Sequence, residues 1–261
     1  MNIDVLKEYK GQKQIVALTA YDYSFARLFD EAGADMILVG DSVGMVCQGH
    51  KDTKSVTMDH MVYHTECVAR GVRRACLVAD MPIGSYDDAP SAIMNAQRLI
   101  AAGAHAVKVE GGDVKIVFAV EALCQAGIPV VGHVGLTPQT AERFVVEGRD
   151  QEGAQRIADE ACLLEGAGIS ALVLECVPMR LAEEITHTML IPTIGIGAGR
   201  HCDGQILVSH DLLGLFPDFR PKFVRTFMQG AEEVKAAVQD YINAVREGEF
   251  PNEQECFKGK A

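Results

Sequence analysis

Hydrophobic residues recur along the chain in short runs that follow a glycine. The segments 31–41, 101–111, 125–135 and 166–176 each carry a small residue, a glycine, and then an apolar run that ends in glycine or a polar residue. A glycine suits the left-handed cap at the end of a helix, and an uninterrupted apolar run suits a strand that is buried on both faces. The pattern therefore predicts a repeated unit in which a helix leads into a buried strand.

Four further apolar runs are typical of strands, and with those above they give eight strand candidates. These runs cover 15–20, 75–82, 191–199 and 204–211. Between the runs lie segments whose apolar residues recur with the period of a helix. Ile93, Ala96 and Ile100 follow the i, i+3, i+7 spacing, which predicts a helix over 90–102 with one buried face.

More helices are predicted from caps and periodicity. Thr57 is placed to cap a helix over 58–70, and 153–166 has a helical pattern. We expect another helix to begin at Thr137-Pro138, with proline in its first turn. The interval between the seventh and eighth strands is too short for a helix.

Strands that alternate with helices predict a parallel sheet. Eight such units in about 250 residues fit a closed (β/α)₈ barrel, and an open doubly wound sheet is the alternative that shares these signals. No linker, charge block or low-complexity segment interrupts the sequence, so we expect one domain over 1–261. That domain would have a short N-terminal helix, one or two outer helices over 222–246, and a tail at 251–261.

Composition narrows the class of protein. The 261 residues are 48% hydrophobic and 23% charged, which suits a normal globular core. The formal net charge of −12 disfavours nucleic acid as a partner, because that binding depends on neutralising phosphates. The same charge is compatible with a cation held by carboxylates.

Location is also suggested by the composition. No apolar run reaches the roughly 18 residues of a membrane helix, and the N-terminus "MNIDVLKEYKGQK" has charges but no apolar core for a secretory signal. The eight cysteines form no CxxC pair and fall in apolar segments, as small core residues in a reducing compartment would. We therefore expect a cytoplasmic protein without disulfides or a membrane partner.

Polar and ionisable side chains stand where five successive strand candidates end, which is the edge of a barrel that carries active sites. They are Asp41 and Ser42 after strand two, Asp80 after strand three, Lys108 and Glu110 in strand four, His133 in strand five, and Glu175 in strand six. Each alone has a structural interpretation: a turn or cap residue, a core histidine, or a neutral ion pair. Because buried charges are costly unless they are paired or bound to metal, one shared functional site explains all seven better.

The residue types indicate a particular chemistry. Asp41, Asp80 and Glu110 offer hard oxygen ligands of the kind that Mg²⁺ takes. Lys108 would bind an anionic group of the substrate, such as a carboxylate or an enolate oxygen, and His133 could donate a hydrogen bond to it. Glu175 is then available as a general base. This set describes a metal-stabilised enolate of a 2-oxo acid, as enolase-type sites form.

Two other motifs each allow two interpretations. The stretch "GIGAG" at 195–199 is similar to a phosphate-binding glycine loop, but it lacks the GxGxxG spacing, and close backbone packing is the alternative. In "TAYDYS", Thr19, Tyr21 and Asp22 follow the first strand; they could line the mouth of the barrel, or the tyrosine could simply pack.

Long motifs in this sequence resemble the ketopantoate hydroxymethyltransferase family. They include "LTAYDYSFARLFDEAG", "ILVGDSVGM", "VTMDHMVYHTECVARG", "VADMPIGSY", "VKVEGG", "GHVGLTPQ", "LVLECVP" and "IPTIGIGAG". The resemblance covers about residues 5–250 and keeps the order of the family's motifs. It implies a (β/α)₈ barrel of the phosphoenolpyruvate/isocitrate lyase type.

The resemblance also implies an activity. The family transfers a hydroxymethyl group from 5,10-methylenetetrahydrofolate to 3-methyl-2-oxobutanoate and forms 2-dehydropantoate for pantothenate and coenzyme A synthesis. Its members are cytoplasmic homodecamers with one Mg²⁺ per subunit. Carried over by motif, Asp41, Asp80 and Glu110 are at the metal, and Glu175 is the proton acceptor. The residues that bind the oxo acid are Asp41, Ser42, Asp80, Lys108 and His133.

Two loops depart from the family pattern. After "GLTPQT" the family carries a Gly-Gly-aromatic-Lys stretch, where this chain has the shorter "AERFVVEGRD", and "DTKSVT" lacks the usual proline.

Two rival functions share parts of this pattern. One is another C–C lyase or mutase of the same barrel group, although no "KKCG"-like loop is present. The other is a non-catalytic barrel, against which the intact set of acids argues.

Overall fold

Eight parallel strands close into a barrel in which each strand pairs with the next along the chain and the last pairs with the first. The computed structural model describes residues 2–141, 143–216, 220–247, 249 and 255. The strands are β1 Ile15–Thr19, β2 Met36–Val39, β3 Cys76–Asp80, β4 Ala106–Glu110, β5 Val130–Gly135, β6 Ala171–Glu175, β7 Thr193–Ile196 and β8 Gly204–Leu207.

Helices follow most of the strands. Within the described ranges they are α1 Ile3–Glu8, α2 Tyr23–Ala32, α3 Val43–Val46, α4 Met58–Ala69, α5 Ala89–Ala101, α6 Val114–Gln125, α7 Gln151–Gly166, α8 Met179–Thr188, α9 Ser209–Leu212 and α10 Gly230–Glu247. The closed barrel confirms the predicted fold and excludes the open sheet. All eight strand candidates contain a strand, and the short link from β7 to β8 holds no helix.

The predicted caps form for clear local reasons. Thr57 precedes α4 with extended backbone, and its side chain accepts a hydrogen bond from the His60 N–H at 3.3 Å. The His60 ring nitrogen Nδ1 accepts from the Thr57 N–H in return, which completes a capping box. Asp88 and Asp150, which were not predicted as caps, cap α5 and α7 by accepting from the Ser91 and Gly153 N–H groups. The helices predicted over 58–70, 90–102 and 153–166 are therefore confirmed.

The helix expected at Thr137-Pro138 is absent, and that prediction is wrong. The chain makes a single turn there, closed by bonds from the Thr140 and Ala141 N–H groups to the Thr137 carbonyl. Gln139 in this turn donates its backbone N–H to Glu110 Oε2 at 3.2 Å. This tertiary hydrogen bond ties the turn to the end of β4.

An apolar cluster fills the barrel at the N-terminal ends of the strands. Its strand members alternate along each strand; Val78 of β3, Ala106 of β4 and Val131 of β5 are among them, and Ile3 and Leu6 of α1 pack in the same cluster. Side chains two residues apart in a strand share a face. Residues two and four positions further along these strands therefore point into the same interior, at its C-terminal end.

The described chain divides into two compact units, Met1–Ser209 and His210–Ala261. The first contains the barrel, and the second contains α10. Of the outer helices predicted over 222–246, the second unit has one, which begins only at Gly230. The predicted single domain over 1–261 stays a prediction, and the predicted tail at 251–261 lies outside the described residues except for Glu255.

Two expectations from composition concern the described ranges as well. No helix there is long and apolar enough to cross a membrane. The seven cysteines in those ranges are all free. Cys256 lies outside them.

Candidate active site

Five neighbouring strands deliver the predicted site residues to one end of the barrel. Strand register places Asp80 beside Lys108, Glu110 beside His133, and Gly135 beside Glu175. Asp41 follows β2, and its backbone N–H donates to Asp80 Oδ2 at 3.0 Å. The side chains at positions 80, 108, 110, 133 and 175 continue the inward faces of their strands beyond the apolar cluster, so the period of the strands explains why they meet. Asp41 instead comes from the loop after β2.

Lys108 is enclosed by acids. Its Nζ donates to Asp80 Oδ1 at 2.8 Å and to Glu110 Oε1 at 3.2 Å. Lys108 and Glu110 are each 5% exposed, so the cation and anion of "VKVEG" face the interior together. Burial alone would lower the pKa of the Lys108 ammonium, but Asp80, Glu110 and Asp41 raise it, and the lysine stays charged.

His133 stands between two carboxylates. Its Nδ1 lies 3.2 Å from Glu110 Oε1, and its Nε2 lies 3.4 Å from Glu175 Oε2. Burial would lower the pKa of the imidazole, but the charge of Glu110 outweighs it and raises the pKa to about 9. His133 is therefore an imidazolium at neutral pH, and it links Glu110 at the centre of the cluster with Glu175 on β6.

The acids at this end outnumber the cations. Burial raises the pKa of Asp41 well above its usual value, and the charges of Glu110 and Asp80 raise it further. Burial also raises the pKa of Asp80, against the attraction of Lys108. Glu110 goes the other way: burial would raise its pKa, but Lys108 and His133 lower it to about 2. The acids of the site therefore exceed its cations, and Asp41 and Asp80 hold their protons more tightly than free carboxyl groups do.

This excess fits a divalent cation of the Mg²⁺ type. Asp41 and Asp80 are buried, adjacent, and offer hard oxygen ligands, and Mg²⁺ commonly binds through one or two carboxylates while water or substrate fills its other positions. Among the described residues, no group of three or more Asp, Glu, His or Cys side chains is arranged to hold a metal. Glu110 is occupied by Lys108, His133 and the Gln139 N–H, so the predicted three-carboxylate set stays a prediction.

Ser42 is held at the mouth of the site by a residue of the first strand's loop. Its hydroxyl lies 2.8 Å from the Tyr21 hydroxyl. Burial raises the pKa of the Tyr21 phenol, so this group remains a neutral hydrogen-bonding partner. A Cβ at Gly40 would lie 2.8 Å from Ser42 Oγ, so only glycine leaves room for this arrangement. Of the residues in "TAYDYS", Asp22 instead caps α2.

The backbone around Glu175 is held in an unusual conformation. Cys176 has φ of 48°, and among the described residues it is the only non-glycine with positive φ. Three backbone bonds fix this segment: Leu136 N–H to the Glu175 carbonyl, Cys176 N–H to the Ile196 carbonyl, and Glu147 N–H to the Cys176 carbonyl. Strained backbone that its surroundings hold in place is typical of functional sites.

The glycines near Glu175 serve close packing. A Cβ at Gly135, which has φ of 98°, would overlap the Glu175 carbonyl oxygen. In "GIGAG", a Cβ at Gly195 would lie 2.9 Å from Cys202 Sγ, and one at Gly199 would overlap Met179. These contacts favour the packing interpretation of that motif.

Two residues of the cluster were not assigned from the sequence. Gln139 donates its side-chain amide to Asp41 Oδ2 at 2.9 Å, and Tyr86 donates its hydroxyl to Gln139 Oε1 at 2.6 Å. Both lie in loops that leave the C-terminal ends of strands, "MPIGSY" after β3 and "LTPQ" after β5. That position was the only signal in the sequence that could have pointed to them.

The chain matches a family of known proteins over nearly its whole length. The family model for ketopantoate hydroxymethyltransferase matches residues 1–253. The chain belongs to the ketopantoate hydroxymethyltransferase family. This match confirms the resemblance drawn from the motifs, and with it the prediction of an enzyme family.

Individual relatives agree with the family match. A 3-methyl-2-oxobutanoate hydroxymethyltransferase of Shewanella piezotolerans is 50% identical over 256 residues, which is 97% of both chains. One of Clostridium kluyveri is 52% identical over 253 residues, which covers 95% of this chain and 90% of the relative. Both alignments extend across the barrel and every predicted site residue.

Solved structures support the type of barrel. A phosphonopyruvate hydrolase in complex with oxalate and Mg²⁺ superposes with a TM-score of 0.67 at 14% identity and covers 98% of this chain and 93% of its own. A 2,3-dimethylmalate lyase of the PEP mutase/isocitrate lyase superfamily gives 0.63 at 16% identity, with 98% and 92% covered. These superpositions confirm the predicted barrel fold.

Proposed function

We propose that this chain transfers a hydroxymethyl group from 5,10-methylenetetrahydrofolate to 3-methyl-2-oxobutanoate, which yields 2-dehydropantoate and tetrahydrofolate. The product would serve pantothenate and coenzyme A synthesis. The observation that carries the proposal is the buried cluster of Asp80, Lys108, Glu110 and His133 with Glu175 at its edge, in a chain of this family. The cluster combines cations for an oxo acid with a carboxylate that can remove a proton.

Each residue has a role that follows from its charge and place. Lys108 and His133 are the cations of the site, and they would attract the carboxylate of the oxo acid and the negative charge that develops on its carbonyl oxygen. Ser42 would donate a hydrogen bond to the same molecule. Asp41 and Asp80 would contribute through the cation they hold.

Asp41 and Asp80 would hold one Mg²⁺ per subunit, with Glu110 in the outer shell of the ion. When bound there, Mg²⁺ supplies a Lewis acid that polarises the 2-oxo group. The surplus of buried acids around Asp41 is the feature that supports this assignment. The charge of Lys108 alone leaves the pKa of Asp41 raised, so a second cation would complete the neutralisation.

Glu175 is the proposed base. It would accept the proton from the carbon next to the carbonyl, and the electrons of that C–H bond would form the new C–C bond to the methylene carbon of the folate. Water then provides the hydroxyl group, and its other hydrogen and the proton held by Glu175 go to the two folate nitrogens as both C–N bonds break and tetrahydrofolate leaves. His133 Nε2 lies 3.4 Å from Glu175 Oε2 and would orient that carboxylate. Backbone hydrogen bonds fix the peptide bond between Glu175 and Cys176.

The rival reaction is that of a lyase or mutase of the same barrel group. Relatives that are 50–52% identical favour the transferase, whereas the superposed hydrolase and lyase are only 14–16% identical. Consumption of 3-methyl-2-oxobutanoate that depends on the folate would distinguish the two reactions. Cytoplasmic location and assembly into a homodecamer remain further predictions of the family resemblance.

Proton exchange tests the proposal without the folate. We expect the protein with Mg²⁺ to exchange the C3 proton of 3-methyl-2-oxobutanoate for deuterium, followed by NMR. Glu175→Gln should slow this exchange about 10²–10⁴-fold, the usual contribution of a general base, while oxo-acid binding by calorimetry survives. Near-normal exchange in the variant would contradict the role of Glu175.

A matched control is available on α8. Glu183 also lies 3.4 Å from a histidine, His201, but it is 39% exposed and stands on α8, not at the end of a strand. Glu183→Gln should leave the exchange rate within twofold of the unaltered protein. If both variants lost exchange alike, the loss would reflect a general disturbance rather than removal of a base.

A further inference from the structure

Gln139, in the loop after β5, forms hydrogen bonds with residues at the C-terminal end of β4 and in the loops that follow β2 and β3. Its side-chain Nε2 donates to Asp41 Oδ2 at 2.9 Å and to the Met81 carbonyl at 3.0 Å. Its Oε1 accepts from the Tyr86 hydroxyl at 2.6 Å, and its backbone N–H donates to Glu110 Oε2 at 3.2 Å. With 1% of its surface exposed, this glutamine satisfies both ends of its amide inside the protein.

The chemistry of its partners fixes which way the amide points. Asp41 Oδ2 and the Met81 carbonyl only accept hydrogen bonds when the acid is ionised, so they require the NH₂ group between them. The carbonyl oxygen must then face Tyr86, whose hydroxyl can donate. A flipped amide would set its oxygen against the two acceptors, Asp41 Oδ2 and the Met81 carbonyl, and make both contacts unfavourable.

This orientation matters because Asp41 is one of the two acids proposed to hold the cation. The Gln139 amide fixes the position of Asp41 Oδ2 and so limits rotation of the whole carboxyl group. The Gln139 N–H also holds Glu110, the acid already paired with Lys108 and His133. One residue therefore fixes two carboxylates of the proposed cation site from the same turn.

We propose that Gln139 is a positioning residue of the cation site, which orients Asp41 through its amide and Glu110 through its backbone N–H, and that Tyr86 locks the amide. This inference rests on the proposed function, because it assumes that Asp41 helps to hold Mg²⁺. The single turn from Thr137 to Ala141 places both donors of Gln139 on the acids.

Mg²⁺ affinity, measured by calorimetry without oxo acid or folate, tests the proposal directly. Gln139→Met keeps the length of the side chain and removes both polar groups. We expect it to weaken Mg²⁺ binding about 10–100-fold, the usual effect of losing a partner that orients a ligand. Gln139→Glu should weaken binding at least as much, because it sets acceptors against Asp41 while retaining one for Tyr86.

Tyr86→Phe removes a single hydroxyl and leaves Gln139 in place. We expect a smaller loss of Mg²⁺ affinity, about threefold to tenfold, because the amide then loses its lock but keeps its bonds to Asp41 and Met81. The control is Gln155→Met on α7. Gln155 also donates its amide to a carboxylate, Asp159 Oδ1 at 2.8 Å, but on the exposed surface, and its loss should leave Mg²⁺ affinity unchanged.

The outcomes separate the inference from the function beneath it. If the unaltered protein binds Mg²⁺ and Gln139→Met binds it equally well, the positioning role is overturned while the proposed function stands. A merely structural role would lower the unfolding midpoint in EDTA without changing the affinity, which also overturns it. If Gln139→Met does not fold, Tyr86→Phe decides, and affinity within twofold of the unaltered protein counts against the proposal. No Mg²⁺ binding by the unaltered protein would overturn both.

Discussion

The two ends of the barrel both bury aspartates, but they treat them in opposite ways. At the N-terminal end, Asp203 accepts from Lys10 Nζ at 2.8 Å, and its loop precedes β8. Asp35, before β2, accepts from Lys13 Nζ at 2.6 Å and from the Val16 N–H at 3.0 Å. Each acid there has a cation and a backbone donor of its own.

Asp30 extends this pattern without a direct cation on its carboxylate. Its Oδ1 accepts from the N–H groups of Arg74 and Ala75 at 2.8 and 2.7 Å. Burial would raise its pKa, but these backbone hydrogen bonds outweigh burial and lower it. At the C-terminal end, by contrast, Asp41, Asp80 and Glu110 share a single lysine, and the pKa values of two of them are raised.

The buried acids at the N-terminal end therefore stabilise the fold, whereas those at the C-terminal end are arranged to bind a ligand. An acid with its own donors is satisfied without any added molecule, so its burial supports the folded state. An excess of acids around one lysine is costly until a cation arrives, and proteins keep such arrangements at functional sites despite the loss of stability. Substitutions at the two ends should therefore have effects of opposite sign.

The largest effect is expected at the N-terminal end. Asp203→Ala removes the partner of Lys10 Nζ, of the Gly11 N–H and of the Thr193 N–H and hydroxyl. We expect a loss of about 3 kcal/mol in the free energy of unfolding, because a half-buried ammonium and two backbone donors lose their acceptor. Urea unfolding would measure it. Mg²⁺ affinity of the folded protein should not change, and if it did, the two ends would not be independent.

An effect of opposite sign is expected for Asp41→Asn in the metal-free protein. Burial and the charges of Glu110 and Asp80 raise the pKa of Asp41, so the folded chain binds this proton more tightly than the unfolded chain. Stability then falls as pH rises through the titration of Asp41. The amide removes this loss, and we expect a gain of about 1 kcal/mol at pH 8 that disappears in acid.

Thermal unfolding in EDTA across a pH series would measure this gain. Addition of Mg²⁺ should stabilise the unaltered protein but not Asp41→Asn, because the variant lacks a charged ligand. A variant that is less stable than the unaltered protein at every pH would show that Asp41 supports the fold, as the acids at the other end do.

The smallest effect concerns the backbone at Cys176. Its positive φ costs roughly 1 kcal/mol for a residue with a Cβ, and glycine avoids that cost but gains freedom in the unfolded chain. Cys176→Gly should therefore raise the free energy of unfolding by only about 0.5 kcal/mol, measured by urea unfolding, and keep deuterium exchange within twofold. Valine tolerates this conformation poorly, so Cys176→Val should lower both the free energy of unfolding and the rate of deuterium exchange. Equal stability of the two variants would show that the backbone at Cys176 is not strained.

Most of the architecture was predictable because it is written in local patterns. The glycine-then-apolar repeat predicted four of the strands, and four further apolar runs predicted the others. Thr57 as a cap and the spacing of Ile93, Ala96 and Ile100 predicted two helices at nearly their observed bounds. The prediction failed at Thr137-Pro138, where proline in a first turn favoured a helix. There the chain makes a single turn, which a bond from Gln139 to Glu110, residues 29 apart, ties to the end of β4.

The sequence by itself determined that Asp80, Lys108, Glu110, His133 and Glu175 would share one interior, because a period of two along neighbouring strands leaves no other face for them. Only the tertiary structure decided how their charges are matched. Lys108 lies between Asp80 and Glu110, and His133 lies between that same Glu110 and Glu175. Gln139 and Tyr86 enter from loops with no periodic signal. Pairing depends on distances across strands that are far apart in sequence, and such distances exist only once the barrel has closed.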